Sequence, residues 1–254
     1  MLFKVLFQNL SNLPFCFVKE VIYMKKTIAI ITARGGSKRI PKKNIKEFCG
    51  KPIIEYSIKA AIDTGIFHEI MVSTDDEEIG NIAKAAGANV PFYRSEKTSD
   101  DYATTADVLM EVVDEYEKRG KKFDTIVCLY PTAPFITANK IIEAMKVFED
   151  NNASMVLPVV PFSFPPLRGN IIDEDGKLLY KWPEFRNTRS QDLETLYHDC
   201  GQFSIVDVKE LRLQNGTITE GIYPYILSEL EVQDIDNEID WQMAELKYQF
   251  MLKR

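Results

Sequence analysis

Residues 27–33 read TIAIITA, an uncharged run rich in β-branched side chains. Such a run suits a strand buried on both faces, as in a parallel sheet covered by helices on each side. Arg34 follows at once, and α/β folds place their ligand loops directly after strands of this kind.

From Met24 onward, strand and helix patterns alternate. Apolar residues at helical spacing predict a helix over 52–64, ended by Gly65. A strand over 69–73 follows, then a helix over 75–86 with acidic residues at its start and Gly87 after its end. A short strand is expected over 89–93, helices over 105–118 and 137–150, and strands over 125–130 and 154–160. The rhythm breaks at PFSFPPLRGN, where Pro165-Pro166 excludes a helix or central strand. A hairpin turned by DEDG, at 171–172 and 177–181, leads into a long polar segment, and irregular stretches of this length are usually functional or interfacial. Strands over 202–206 and 232–235 and a helix over 237–252 complete the chain. The expectation is an α/β fold, a mainly parallel sheet with helices on both faces, carrying an extension at about 161–200.

Residues 1–23 do not fit this pattern. They are apolar in patches, interrupted by Asn, Ser and Pro, too polar to span a bilayer and poor as a signal peptide. Lys19-Glu20-Val21 can be written in codons that contain a bacterial ribosome-binding sequence, spaced suitably before Met24. Residues 1–23 are therefore read as translated leader, and 24–254 as one domain.

The formal net charge of −7 argues against bulk nucleic-acid binding but leaves room for a local basic loop. Cys16, Cys49, Cys128 and Cys200 show no zinc or redox spacing, which fits reduced thiols in the cytoplasm. With only His68 and His198 in the chain, a multi-histidine metal site is excluded.

The segment TARGGSKRIPKKNI, 32–45, carries the chemistry. Gly35 and Gly36 let backbone approach a ligand, Ser37 offers a hydroxyl, and Arg34, Lys38, Arg39, Lys42 and Lys43 supply positive charge for a polyphosphate. It is neither a Gly-x-Gly-x-x-Gly dinucleotide loop nor a P-loop.

Ala-Arg-Gly-Gly-Ser-Lys followed by Ile-Pro-x-Lys-Asn resembles the nucleotide loop of the CMP-sialic acid synthetase-like cytidylyltransferases. STDDEEI (73–79), YPTAPF (130–135), NTRSQDLETLYHDCGQF (187–203) and VQDIDNEIDW (232–241) stand in that family's order, so the resemblance spans nearly all of 24–252. It implies a Rossmann-like nucleotidyltransferase that joins CMP from CTP to a nonulosonic acid and releases pyrophosphate. It further implies that Arg34, Gly35, Gly36, Ser37, Lys43 and Asn44 hold the nucleotide, with Arg94 as a further contact. Lys43 and Arg34 would face the phosphates in the transition state.

Asp234 and Asp236 would share one face of a strand and meet one cation, and the resemblance assigns them Mg2+. The pair also suits a polar strand end in which Asp236 caps the helix that follows. For the sugar, the resemblance implies Arg189, Gln191, Asp192, His198, Asp199 and Gln202, with an arginine meeting the sugar carboxylate. YHDCGQF and Tyr130 depart from the neuraminic acid type and resemble the pseudaminic acid group, with Cys200 as a small packing residue. Legionaminic or neuraminic acid, or another sugar class, are the alternative acceptors. The family also implies a homodimer joined through the extension, and Phe162, Phe164, Trp182 and Phe185 supply apolar surface for it.

Overall fold

A computed structural model describes residues 25–253, so the expected leader lies outside the described residues. Strand β1 (Thr27–Thr32) is buried along almost its whole length. Ala29 and Ile31 point to one apolar layer and Ile28 and Ile30 to the other, as a two-faced strand requires. A small antiparallel ribbon, β2 (Glu47–Phe48) and β3 (Lys51–Pro52), leads into α1 (Ile54–Thr64), which Gly65 ends in a left-handed conformation at φ 65°. Then come β4 (Glu69–Ser73), α2 (Glu77–Ala85), the single turn α3 (Glu96–Ser99), α4 (Thr105–Lys118), β5 (Thr125–Leu129), α5 (Ala138–Asp150) and β6 (Met155–Pro161). The exposed hairpin β7 (Asn170–Ile172) and β8 (Leu178–Tyr180) follows, then β9 (Tyr197–Asp199), β10 (Phe203–Asp207), α6 (Val208–Leu213), β11 (Ile222–Ile226) and α7 (Glu238–Leu252).

The large sheet runs β11-β6-β10-β5-β1-β4, with β9 paired to β6. Strands β4, β1, β5, β6 and β11 share one direction, while β9 and β10 run against them. The sheet is therefore mixed, with a mainly parallel frame. Residues from α1 and α5 fill one layer, and residues from α4 and α6 fill the other. A third apolar cluster joins Phe48, Ile53, Tyr56, Phe135, Ile235 and Trp241, so α7 packs on the β2–β3 ribbon beside the basic loop.

The structure corrects several expectations. Residues 89–93 form no strand beyond a single bridge, Met71 to Asn89, and Pro91, which has no N–H to offer a ladder, follows closely. Residues 232–235 form an extended loop and not a strand. The helix expected from Asp75 begins at Glu77, with Asp76 accepting from the Glu78 and Ile79 amides. Strand β11 was not anticipated because Pro224 interrupts IYPYI. It lies at the sheet edge, where a missing N–H is tolerated. Among the described residues no helix is long and apolar enough to cross a membrane.

Candidate active site

The basic loop leaves the C-terminal end of β1 and is held there by its neighbour. Ala33 N–H donates to the Ser73 carbonyl at 2.9 Å, and Gly35 N–H donates to Asp75 Oδ1 at 2.8 Å. A Cβ on Gly35 would lie 2.9 Å from Asp76 Oδ2 and 3.0 Å from Asp76 Cβ, so the loop lies against the α2 cap with no room for a side chain. Asn44, buried, donates from Nδ2 to the Arg34 carbonyl at 2.8 Å. It braces the loop from inside with one of its amide hydrogens.

Gly36 differs. A Cβ there would meet no protein atom within 4 Å, so nothing in the fold itself demands glycine. The open space adjoins a cleft of about 490 Å³ lined by Arg34, Ser37, Lys43, Asn44, Arg94 and Tyr130, among others. A bare backbone beside such a cleft fits close approach by a ligand.

The five basic side chains divide among different partners. Arg34 donates to Asp101 Oδ1 at 2.7 Å and to the Asp100 carbonyl at 3.2 Å, and Lys38 pairs with the same Asp101. Both lysine and arginine hold the Asp101 carboxyl below the usual carboxylate range. Arg39 pairs with Asp236 at 2.8 Å. Lys42 instead pairs with Glu78 on α2 at 2.5 Å and is not among the residues that line the cleft. Arg94 lies beneath the cleft, donating to Ser73 Oγ at 2.8 Å and the Ser73 carbonyl at 2.9 Å. Burial lowers its guanidinium to about 10, which keeps it cationic at neutral pH.

Lys43 links the loop to the C-terminal segment. Its Nζ donates to the Ile235 carbonyl at 2.6 Å and stands 3.8 Å from Asp236 Oδ1. The aspartates gain their position from Ile235, buried between them in the third apolar cluster, and not from a shared strand face. Nor does Asp236 cap α7. Asn237 is the cap, in a reciprocal box with Asp240, which leaves the Asp236 carboxylate facing Arg39 and Lys43. Partial burial and the like charge of Asp236 raise the Asp234 carboxyl above its ordinary value, against the pull of Lys43.

Strands β9 and β10 both run along β6, broken at residues 200–202. Gly201 takes φ 60° there, and a Cβ on it would lie 3.7 Å from Asp234 Oδ1. The break therefore brings the YHDCGQF segment against the Asp234 loop. Asp199 accepts from Gly201 N–H at 2.8 Å. His198 stacks at a tilt on Phe162, 4.7 Å between ring centres, and its Nδ1 contacts the Asp199 carbonyl at 2.8 Å. Gln202 is buried, donates to the Glu231 carbonyl at 2.5 Å and leaves Oε1 without a partner. Cys200 is buried with its thiol pushed up to about 12 by burial, which suits a packing residue and not a nucleophile.

Arg189, Gln191 and Asp192 lie elsewhere. Arg189 grips Asp192 in a two-point ion pair, Nε to Oδ2 at 2.6 Å and Nη2 to Oδ1 at 3.0 Å, and none of the three lines the 490 Å³ cleft. Within this chain the structure thus joins the basic loop, the Asp pair and the YHDCGQF break, but not the arginine segment. Sequence reasoning placed Arg39 only within the basic run and read Tyr130 only as a marker of the sugar class. Tyr130 lines the cleft, burial raises its hydroxyl pKa, and Asp199 and Asp234 both act on it.

The two glycines generate a contrast. Gly35→Ala is expected to lower stability by about 1–3 kcal/mol, the usual cost of an overpacked contact. Gly36→Ala should keep the wild-type melting temperature but weaken CTP binding about tenfold, ~1.4 kcal/mol. Thermal melts beside CTP titrations check both, and a Gly36→Ala protein with unchanged affinity would remove the ligand from that space.

A family model described as Cytidylyltransferase matches residues 28–164. The pseudaminic acid cytidylyltransferase of Campylobacter jejuni subsp. jejuni is 36% identical over 223 residues, covering 88% of this chain and 96% of the relative. The CMP-N,N'-diacetyllegionaminic acid synthase of Legionella pneumophila is 34% identical over 230 residues, covering 87% and 95%. A solved CMP:2-keto-3-deoxy-manno-octonic acid synthetase in complex with CTP has the same fold, with a TM-score of 0.64, 17% identity, and coverage of 91% of this chain and all of the other. The match over more than half the chain and the similarity to near full-length relatives lead to one conclusion: this chain belongs to the cytidylyltransferase family.

Proposed function

We propose that this cytidylyltransferase transfers CMP from CTP to the anomeric hydroxyl of a nonulosonic acid, with pseudaminic acid as its preferred acceptor, and releases pyrophosphate. The observation that carries this reading is the meeting, at one end of the sheet, of the basic loop, the Asp234–Asp236 pair and the YHDCGQF break. Similarity to the Campylobacter pseudaminic acid enzyme supports the acceptor, and the comparable Legionella relative makes legionaminic acid the second candidate.

In this reading the open backbone at Gly36, with Ser37, Arg34 and Lys43, holds the CTP phosphates. Asp101 occupies Arg34 and Lys38 until phosphate oxygens replace it. Lys43 and Arg39 bring positive charge to the α-phosphate side, where negative charge accumulates as the sugar oxygen attacks and pyrophosphate leaves. Arg94 supports the cleft from below and adds fixed charge. Asp199, His198 and Gln202 face the sugar from the β9–β10 break.

A divalent cation fits the aspartate pair. Two carboxylates held side by side repel each other, and Asp234 is harder to ionise as a result. Among the described residues no group of three or more His, Cys, Asp or Glu side chains is assembled to hold a metal. Two carboxylates suffice for Mg2+, which completes its shell with substrate phosphates and water. Bound there, Mg2+ would neutralise negative charge on the phosphates.

The extension is read as a dimer contact. Hairpin β7–β8 buries none of its residues, and Ile172 and Leu178 are 73% and 68% exposed. A lone hairpin is marginal in water, and clustered exposed apolar side chains mark interfaces. Arg189, outside its own cleft, can then serve the neighbour's sugar site. We read the enzyme as cytoplasmic, a reading supported by the free thiols Cys49, Cys128 and Cys200.

Pyrophosphate release from CTP and Mg2+ with purified pseudaminic, legionaminic and N-acetylneuraminic acids tests the function. The expected kcat/KM order is pseudaminic acid first, by about tenfold or more, ~1.4 kcal/mol. Turnover of N-acetylneuraminic acid alone would overturn the acceptor, and no turnover with any of the three would overturn the reaction.

Asp234→Asn and Asp236→Asn are expected to cut kcat by about a hundredfold, ~2.7 kcal/mol, and to weaken Mg2+ dependence. The sign for stability is opposite at Asp234. Its folded pKa is raised, so the ionised form opposes folding above the unfolded pKa, and Asp234→Asn should melt no lower than wild type at neutral pH. Near-normal activity of both variants at low Mg2+ would refute the metal role.

For the assembly, light scattering at micromolar concentration should give a dimer mass. Mixing Arg189→Ala with Asp234→Asn subunits should restore activity above either parent. A monomeric mass, or no gain despite subunit exchange, would assign each site to a single subunit.

A further inference from the structure

Lys140 breaks two local rules at once. It sits in the first turn of α5, where the helix dipole repels positive charge. It is 8% exposed, so its ammonium has lost most of its water. It also follows the Thr137 cap, whose hydroxyl accepts from the Lys140 amide at 3.3 Å, so the helix start has no need of the side chain. A residue placed against dipole and solvation has a compensating contact elsewhere.

That contact has two ends. Lys140 Nζ donates to the Phe135 carbonyl at 3.0 Å and forms an ion pair with Glu231 Oε1 at 3.0 Å. Phe135 closes the Tyr130–Phe135 loop, whose first residues line the nucleotide cleft. Glu231 opens the loop that carries Asp234 and Asp236. The other oxygen of Glu231, Oε2, accepts from Ser228 Oγ at 2.7 Å, and its carbonyl accepts from the buried Gln202 amide at 2.5 Å. Burial favours the neutral acid at Glu231, yet the Ser228 and Lys140 contacts outweigh it and hold the carboxyl below its ordinary range.

The loop is therefore suspended between fixed points. Lys140 and Gln202 hold Glu231, Lys247 Nζ holds the Val232 carbonyl at 2.7 Å, and Lys43 holds the Ile235 carbonyl at 2.6 Å. Of these, Lys140 is the side chain that also grips the far wall of the cleft, through Phe135.

We propose that Lys140 is a positioning residue for the reaction: it ties the Tyr130–Phe135 wall to Glu231 and so sets where the Asp234–Asp236 pair stands relative to the nucleotide. The inference rests on the proposed metal role of that pair. Groups that orient metal ligands typically control metal affinity by ten- to a hundredfold. Lys140 acts on the aspartates through the backbone of residues 231–234 and touches neither substrate nor metal.

The experiment uses the full chain and reads metal binding directly. Mn2+ is titrated into each protein with CTP and without sugar, followed by electron paramagnetic resonance, and CTP binding is measured separately without metal. Lys140→Met keeps the stem and removes the ammonium, and Glu231→Gln removes the partner charge while keeping a hydrogen-bonding side chain. Each is expected to weaken Mn2+ binding about ten- to a hundredfold and leave metal-free CTP binding within about twofold of wild type, ~0.4 kcal/mol. The double variant should be little worse than the worse single, because both break one contact. If Lys140→Met fails to fold, Glu231→Gln carries the same comparison. Wild-type Mn2+ binding in Lys140→Met and Glu231→Gln, beside a large loss in Asp234→Asn, would overturn the positioning role alone. Wild-type Mn2+ binding in Asp234→Asn as well would overturn it together with the metal reading.

Discussion

The site depends on the burial of Ile235. Its side chain enters the cluster of Phe48, Ile53, Tyr56, Phe135 and Trp241, and its carbonyl takes the Lys43 ammonium. One residue thus joins a segment near the C-terminus to a loop that follows the first strand. The apolar anchor matters because the neighbouring charges cannot hold themselves together. Asp234 and Asp236 repel, Lys43 is only 3.8 Å from Asp236, and ion pairs with exposed partners contribute little on their own. Packing supplies the position and electrostatics then acts within it.

The same division of labour runs through the sheet. Two-faced burial of β1 fixes its direction and leaves the Arg34–Lys43 loop at its C-terminal end. Strands β10 and β9 run against the parallel frame and pass the neighbouring edge with a break at residues 200–202. A regular strand would have kept its side chains in the alternating pattern. The break, with Gly201 at positive φ, instead turns the segment toward Asp234. The antiparallel strand is thus the device that brings the second half of the chain to a site founded in the first half.

Four basic side chains of the loop share two carboxylates. Asp101 meets Arg34 and Lys38, while Asp236 meets Arg39 and Lys43. A loop with this much positive charge would otherwise repel itself, and Asp101 and Asp236 offset part of that repulsion.

The sequence alone determined the elements whose cause is local. TIAIITA had to be a two-faced strand, the helical stripes gave α1, α4 and α5 to within a residue or two, and the Gly-Gly-Ser-Lys loop after β1 marked the candidate nucleotide end. Arg34, Ser37 and Lys43 could be grouped because they fall in one loop after a strand, whereas Arg94 was named only through the family resemblance, and the structure sets all four around one cleft. The tertiary structure decided what depends on distant partners. Lys42 faces α2 and not the cleft, Asn237 and not Asp236 caps α7, and the two aspartates stand together through Ile235 and not through a strand. Strand β11 needed the sheet edge to excuse Pro224, and Lys140 acquired meaning only from Glu231, 91 positions later in the numbering. Periodicity and caps are written within a few neighbouring residues, whereas the partner of a buried charge is chosen by packing across the whole fold.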